Sequence, residues 1–152
     1  MKWSIAWGSH MAVLVKVLNA TTGSVLELGG GIYSTPLLHW MCQDQGRELI
    51  TYDNLPEYFD TIKLYESPDH TVTLVDDWDK VNLERTWDVA FIDHWPAGRR
   101  IEEIKRLANY AKYVVIHDSE NSQNHHYHYK DIYPLFKYHY KYRGAKPHTS
   151  IL

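Results

Sequence analysis

Acidic side chains recur along this chain, and each of them follows a short apolar run. They are Glu27, Asp53, Asp76 or Asp77, Asp93 and Asp118. If the apolar runs are parallel strands of an open α/β sheet, their carboxyl ends open onto one crevice and the acids gather at its rim. A single acid after a strand is commonly a helix cap or a turn former. The ordered set instead predicts a ligand-binding rim, because carboxylates accept hydrogen bonds from hydroxyl groups and bind cations.

A glycine turn at residues 29–31 separates the first of these runs from a segment that opens with Ser34. Glycines let a ligand approach the bare backbone, and the following helix N-terminus offers unpaired N–H groups. Asp53 lies 22 positions after Gly31, close to the spacing of about 20 residues at which an acid binds nucleotide ribose hydroxyls. The turn and the acid together predict a nucleotide-bearing cofactor.

The spacing of apolar residues predicts the elements that position these groups. Predicted strands cover residues 24–28, 48–53, 71–75, 88–93 and 112–116, with a closing pair at 136–142 and 148–152. Predicted helices cover residues 8–19, 36–42, 55–65 and 101–110. Several strands are near-continuous apolar runs, which is typical of parallel strands covered on both faces. We expect one α/β domain over residues 1–152, with a seven-stranded, mostly parallel sheet, flanking helices and an antiparallel edge strand.

Composition narrows the class of protein. With 16 basic and 19 acidic residues the net charge is −3, so no overall positive field recruits nucleic acid. The single cysteine, Cys42, excludes an intrachain disulfide, and we expect a buried thiol in a reducing compartment. No apolar run reaches transmembrane length, and the first residues lack the regions of a signal peptide. We expect a soluble cytoplasmic protein without membrane or nucleic-acid partners, and the many aromatic residues leave homo-oligomerisation open.

Over nearly its whole length the chain resembles class I S-adenosylmethionine (SAM)-dependent methyltransferases, which have a Rossmann-like fold. The segment Glu27-Leu28-Gly29-Gly30-Gly31 is similar to the first motif of that family, whose glycines flank the methionine part of SAM. Many members carry a third spaced glycine where this chain has Tyr33. The resemblance implies that Asp53 holds the ribose hydroxyls and that residues 76–78 contact the adenine. The implied SAM-binding residues are Glu27, Gly29, Gly30, Gly31, Ser34, Asp53, Asp76, Asp77, Trp78, Asp93 and His94.

The segment Asp93-His94-Trp95 is similar to the catechol O-methyltransferase group. In that group the equivalent acid binds a divalent metal, and the following His-Trp pair lies near the adenine. The next strand end in that group supplies an Asp-Asn pair, whereas this chain reads Asp118-Ser119, and Pro96 stands where the group places its catalytic lysine. We therefore expect no metal requirement, while a Mg²⁺ site formed by Asp93 and Asp118 stays open as the alternative.

Three residues at neighbouring strand ends are the candidate catalytic groups, namely Asp93, His117 and Asp118, and we expect them to surround the methyl acceptor. His117 is the predicted proton acceptor, since an imidazole titrates near working pH. The alternative is a His117 that packs under the loop and bonds to the backbone.

Other residues near these strand ends carry weaker signals. Trp3 and Trp7 either close over the methyl donor as a lid or cap the sheet. Arg99 is a candidate anion clamp, and Lys105 is expected on a solvated face. The His/Tyr-rich residues 125–129 are interpreted as a polar surface segment beside the acceptor pocket, in preference to a zinc site, because thiolate ligands are missing.

These features predict methyl transfer from SAM to a small-molecule acceptor, with O-methylation as the expected form. Enzymes that methylate amino groups of nucleic acid or protein often carry an Asn/Asp-Pro-Pro-Tyr loop after the fourth strand, and this chain has a different sequence there. Two alternatives stay open. One is a protein that binds SAM without methylating, as a SAM-cleaving enzyme or a binding module. The other is an NAD-dependent oxidoreductase, which shares the strand–glycine–helix pattern.

Overall fold

The computed structural model describes residues 4–152 and contains a seven-stranded sheet. The strands are β1 (Val25–Leu28), β2 (Leu49–Asp53), β3 (His70–Leu74), β4 (Trp87–Ile92), β5 (Ala111–Ile116), β6 (Tyr140–Tyr142) and β7 (Thr149–Ile151). Their order is β3-β2-β1-β4-β5-β7-β6. Strands β1 to β5 are parallel, and β7 runs antiparallel between β5 and β6. The predicted Rossmann-like sheet, mostly parallel with an antiparallel pair at one edge, is confirmed.

Helices cover both faces of this sheet. They are α1 (Met11–Asn19), α2 (Ser34–Asp44), α3 (Pro56–Ile62), α4 (Arg100–Leu107), α5 (Asn124–Tyr127) and α6 (Tyr129–Ile132). Because successive side chains of a strand point to opposite faces, Val25 joins the core beneath α1 and α2, whereas Leu26 joins the core beneath α4 and α6. Both cores need apolar residues from the same strands, which explains the near-continuous apolar runs in the sequence.

Some predicted boundaries were wrong. The helix expected at 8–19 is a 3₁₀ turn at Ile5–Gly8 followed by α1, and the helix expected at 55–65 ends at Ile62 before a second 3₁₀ turn. The strand expected at 136–142 is shorter and begins only at Tyr140. A 3₁₀ turn at Tyr133–Leu135 precedes this region, and the ring of Tyr133 stacks on His139 with centroids 3.8 Å apart. This stacked pair spans the irregular residues between the turn and the strand.

The topology gathers four strand ends at one place. The sheet order reverses between β1 and β4, and the carboxyl ends of β1, β2, β4 and β5 open there, which is where open α/β sheets bind ligands. The thiol of Cys42 is buried, as predicted. Within residues 4–152, no helix combines the length and the apolar character that crossing a membrane requires.

Candidate cofactor and acceptor site

A cavity of about 370 Å³ lies at these strand ends. Its lining residues come from the glycine turn, from the ends of β2, β4 and β5, and from the two ends of the described chain: Trp7, His10, Gly29, Gly30, Gly31, Ile32, Tyr33, Ser34, Asp53, Leu55, Tyr58, Asp93, His94, Trp95, Arg100, His117, Asp118 and Pro147. Most residues predicted for the cofactor and all three predicted catalytic residues therefore line one cavity. Trp7 also lines it, and Trp3 lies outside the described residues.

Two of the three glycines in the turn have no room for a side chain. Gly29 has φ +87°, and a Cβ atom there would overlap the backbone of His94. A Cβ atom on Gly30 would overlap the side chain of Ile62. At Gly31 only the Ser34 Oγ would lie nearby, at 3.6 Å. The first two glycines let the turn pack closely, and the third leaves the cavity wall open to a ligand.

Asp53 fastens this turn from the end of β2. Its carboxylate accepts hydrogen bonds from the backbone N–H of Gly30 at 2.8 Å and of Leu55 at 2.7 Å. Burial raises the pKa of Asp53, although these backbone donors act in the opposite direction. The predicted ribose-binding acid thus lies in the cavity wall directly beside the glycine turn.

Glu27 lies beneath the turn and does not reach the cavity lining. It is completely buried, and its Oε2 accepts hydrogen bonds at 2.8 Å from the hydroxyls of Thr35 and Thr51. Burial raises the pKa of Glu27 to about 7, against the lowering effect of nearby hydroxyl groups. The position fits support of the turn from below rather than direct contact with a ligand.

The loop after β3 turns away from the cavity. Asp76, Asp77 and Trp78 are all absent from the cavity lining formed by residues 4–152. The Asp77 carboxylate instead accepts from the N–H of Asp79 and caps a short 3₁₀ turn. Trp78 is buried against His94, with ring centroids 4.3 Å apart, and its indole N–H donates to the carbonyl of Trp95. Trp78 therefore supports the cavity wall from behind.

The side chain of His94 is buried in the core, although His94 is among the residues that line the cavity. Its Nε2 lies 3.0 Å from an oxygen of Glu103, and both side chains are fully buried. Burial lowers the pKa of His94, and the neighbouring Glu103 opposes this effect. The adjacent Trp95 is largely exposed and lines the cavity.

Arg100, which the sequence analysis did not single out, joins Asp93 and Asp118, the two acids predicted to be catalytic. Its guanidinium lies 2.9 Å from a carboxylate oxygen of Asp93 and 3.3 Å from one of Asp118. It also donates to the backbone carbonyls of Asp93 and His94, at 2.8 and 2.7 Å. Because a guanidinium already bridges the predicted Mg²⁺ ligands Asp93 and Asp118, this pair is a poor site for a cation on its own.

Asp118 is held in an unusual backbone conformation, with φ +54°. Its carboxylate accepts a 2.8 Å hydrogen bond from the hydroxyl of Tyr127, whose ring lies under the Arg100 guanidinium. A non-glycine residue in the left-handed region costs free energy and is over-represented at functional sites. The tyrosines of the predicted surface segment thus complete the site, whereas His125, His126 and His128 are exposed.

The hydrogen bonds of His117 fix the orientation of its ring. The hydroxyl of Ser9 donates its only hydrogen to the carbonyl of Pro147 at 2.7 Å, so it accepts from His117 Nε2–H at 2.9 Å. The other nitrogen, Nδ1, lies 3.3 Å from both carboxylate oxygens of Asp93 and 3.6 Å from an oxygen of Asp118. A lone pair on Nδ1 would therefore face negatively charged oxygens. Burial lowers the pKa of His117, but these carboxylates raise it above its ordinary value overall. His117 thus donates through Nε2–H to Ser9 and turns Nδ1 toward the carboxylates of Asp93 and Asp118.

His10 is the second residue that the sequence analysis missed. The ring is 2 % exposed and lies against Phe91 and His117, with centroids 4.7 and 4.8 Å away. Neither ring nitrogen has a hydrogen-bond partner among residues 4–152. Burial lowers the pKa of His10 to about 4, so the ring is neutral at pH 7. In the sequence, His10 was marked only by its place near the start of the helix predicted at residues 8–19.

The predictions for two charged residues, Arg99 and Lys105, had different outcomes. Arg99 is not a free anion clamp, because it pairs with Asp79 and, at 2.9 Å, with Glu103. Lys105 pairs with Glu102 on a solvated face, as predicted. The anion-facing arginine is the next residue along the chain, Arg100.

Comparisons with known proteins identify the fold. No protein-family model and no curated protein matches the sequence. The solved methyltransferase domain of bacterial-CtHen1-C is similar over 96 % of this chain and 96 % of its own, with a TM-score of 0.63 and 12 % identity. The chain has the Rossmann-like fold of SAM-dependent methyltransferases.

Two further solved structures share this methyltransferase fold. The C-terminal domain of precorrin-6Y C5,15-methyltransferase from Rhodobacter capsulatus matches with a TM-score of 0.60 and 11 % identity, over 93 % of this chain and 84 % of that one. A SAM-dependent methyltransferase from Thiobacillus denitrificans, solved with S-adenosylhomocysteine, matches with a TM-score of 0.53 and 20 % identity. That match covers 70 % of this chain and only 46 % of the other. The closer likeness to the catechol O-methyltransferase group stays a prediction.

Proposed function

We propose that this protein transfers a methyl group from SAM to an oxygen atom of a small-molecule acceptor. One observation carries the proposal: a single cavity holds the glycine turn with Asp53 on one side and Asp93, His117 and Asp118 on the other. The first group suits a nucleotide-bearing methyl donor, and the second supplies charged groups around an acceptor.

The cavity wall fits the methionine and ribose parts of SAM. The missing side chain of Gly31 leaves the wall open, and Ser34 lines the cavity at the start of helix α2. The carboxylate of Asp53 would accept hydrogen bonds from the two ribose hydroxyls, while its bond to Gly30 keeps the turn in place. Glu27 would act from beneath, by holding Thr35 and Thr51.

At the acceptor end, these residues would orient a hydroxyl group and take up its proton. SAM supplies a methyl carbon to which the acceptor oxygen bonds as the carbon–sulfur bond breaks, with the electron pair remaining on sulfur. Positioning provides much of the acceleration in such an in-line displacement. Asp118 is the proposed proton acceptor, because Arg100 and His117 lie closer to Asp93, at 2.9 and 3.3 Å, than to Asp118, at 3.3 and 3.6 Å. Burial alone would raise the pKa of Asp93, but His117 and Arg100 lower it well below its usual range.

Calorimetric titration tests the cofactor part of the proposal. The chain should bind SAM and S-adenosylhomocysteine saturably and should not bind NAD, with Mg²⁺ present or absent. Asp53→Asn should weaken S-adenosylhomocysteine binding at least about tenfold, because it removes a charged acceptor of ribose hydroxyls. Asp60→Asn, at an exposed position of the neighbouring helix α3, is the matched control. Binding of NAD alone, or of none of the three ligands, would overturn the proposal.

Product analysis tests the reaction. With an identified acceptor, Asp118→Asn should lower turnover by about 10²-fold, the usual contribution of a positioned general base. Full turnover by Asp93→Asn and Asp118→Asn variants that are folded and bind SAM would remove these residues from the mechanism. Release of methylthioadenosine without any acceptor would instead identify a SAM-cleaving enzyme. Tight SAM binding without S-adenosylhomocysteine formation across diverse acceptors would identify a binding module.

A further inference from the structure

The cavity contains a cluster of three side chains that the proposed mechanism does not fully use. One ligand atom from each of His10, Asp93 and His117 lies within 4.8 Å of the other two. Among residues 4–152 no other group of three or more His, Cys, Asp or Glu side chains meets this geometry. Two imidazoles and one carboxylate form a ligand set that proteins use for divalent transition metals.

We propose that His10, Asp93 and His117 bind a divalent transition-metal ion of the Zn²⁺ or Fe²⁺ class. The His10 ring supports this assignment independently of the clustering. A buried imidazole normally satisfies at least one nitrogen by hydrogen bonding, yet both His10 nitrogens lack a partner within the described chain. A metal ion at the cluster would provide the missing partner for one of them.

The surroundings of His117 also suit a ligand role. A metal-bound histidine usually donates its other ring N–H to a fixed acceptor, which sets the orientation of the ring. Here Nε2–H donates to Ser9, and Ser9 is itself fixed by the carbonyl of Pro147. This chain of hydrogen bonds leaves Nδ1, the nitrogen that faces Asp93, as the metal ligand.

Charge and distance are compatible with an ion. The two carboxylates of Asp93 and Asp118 and the guanidinium of Arg100 sum to one negative charge when both histidines are neutral, so a dication would leave the site with a net charge of +1. Arg100 lies 2.9 Å from one oxygen of Asp93, and the second oxygen remains for the metal. Ligand atoms at 2.0–2.2 Å from a tetrahedral ion lie about 3.4 Å apart. The three ligand atoms here lie within 4.8 Å of one another, so the histidine rings would move by about 1 Å to bind the ion.

The donor set separates this site from the Mg²⁺ site considered from the sequence. Mg²⁺ prefers oxygen ligands, whereas the proposed site offers two nitrogens and does not use Asp118. Its location in the acceptor end of the cavity would let the ion polarise an acceptor oxygen, and this role rests on the proposed function. Metal binding itself does not depend on SAM.

The test is titration of tag-free, chelator-treated full-length protein with Co²⁺, Zn²⁺ and Mg²⁺, without SAM. We expect one Co²⁺ per chain with visible absorption bands, displacement by Zn²⁺, and no competition from Mg²⁺. His10→Ala should weaken Co²⁺ binding by more than about 100-fold, and Ser9→Ala by about 10- to 100-fold, the usual cost of losing an outer-shell partner. The variant His126→Ala, at an exposed histidine outside the site, should bind like the wild type.

Three results would overturn the assignment: no Co²⁺ or Zn²⁺ binding, binding that survives His10→Ala, or binding that Asp118→Asn abolishes. If His10→Ala does not fold by circular dichroism, X-ray absorption of the wild-type zinc form decides, because it counts imidazole ligands. Two are expected, and fewer would refute the site. Loss of SAM binding with intact Co²⁺ binding would contradict only the proposed function.

Discussion

Replacement of Glu27 by Gln tests how the buried acid beneath the glycine turn contributes to stability. The Glu27 side chain is completely buried, and burial raises its pKa from 4.5 to about 7. Gln has nearly the shape of the protonated acid, and its carbonyl can accept from Thr35 and Thr51 as Oε2 does. The substitution therefore removes the titration while leaving most of the packing.

The sign and size of the effect follow from linkage between proton binding and folding. The folded state holds the Glu27 proton more tightly than the unfolded state does. Its contribution to stability is therefore complete below pH 4.5, falls as the pH rises to about 7, and stays level above that value. One pKa unit corresponds to about 1.4 kcal/mol, so the wild type should lose about 3 kcal/mol relative to Glu27→Gln across this range.

Urea denaturation of both proteins between pH 4.5 and 8 measures this difference. Subtracting the two profiles cancels the other titrating groups, which the variants share. Glu57→Gln, at an exposed position of helix α3, should follow the wild type at every pH. A constant difference between wild type and Glu27→Gln, or a wild type that gains stability relative to the variant with rising pH, would refute the reasoning. Either result would mean that Glu27 is ionised in the folded protein at acidic pH.

Two other substitutions probe the cavity wall. Gly29→Ala should lower the free energy of unfolding by about 1–3 kcal/mol and weaken S-adenosylhomocysteine binding. Gly29 has φ +87°, and the added methyl group would overlap the backbone of His94. An unchanged urea midpoint and an unchanged affinity would contradict this prediction. Arg100→Met should cost about 3–5 kcal/mol, because it leaves the carboxylates of Asp93 and Asp118 without their shared partner. Adding Asp118→Asn to Arg100→Met should recover part of that loss in the same denaturation assay, and no recovery would contradict the pairing.

The strand-end acids illustrate what the sequence could predict. Apolar runs and turn residues are local signals, so β1, β2, β4 and β5 were located and Asp53, Asp93 and Asp118 were placed at one cavity. The acids after β3 lie outside the cavity lining formed by residues 4–152. Asp77 caps a 3₁₀ turn, which is the role weighed as the alternative for any single acid. Whether the side chains of residues 76–78 approach a bound adenine stays a prediction.

The missed residues depended on tertiary contacts. Arg99 and Arg100 are adjacent and chemically identical, but consecutive residues of a helix point about 100° apart. The sequence did not indicate that Arg100 is the one turned toward the two carboxylates. His10 became part of the site only through packing of its ring against Phe91 and His117, which are distant in sequence.

The hydrogen bonds that orient His117 also constrain when the site can form during biosynthesis. Ser9 and Pro147 are 138 positions apart, and His117 lies 108 positions after Ser9. A nascent chain can pair strands β1 to β5 before Pro147 has left the ribosome, but it cannot yet complete the Ser9 hydrogen bonds. Site assembly must therefore be a late event in which the two ends of the described chain meet. Proteolytic loss of either end would remove the hydrogen bonds that orient His117 while much of the sheet remained paired.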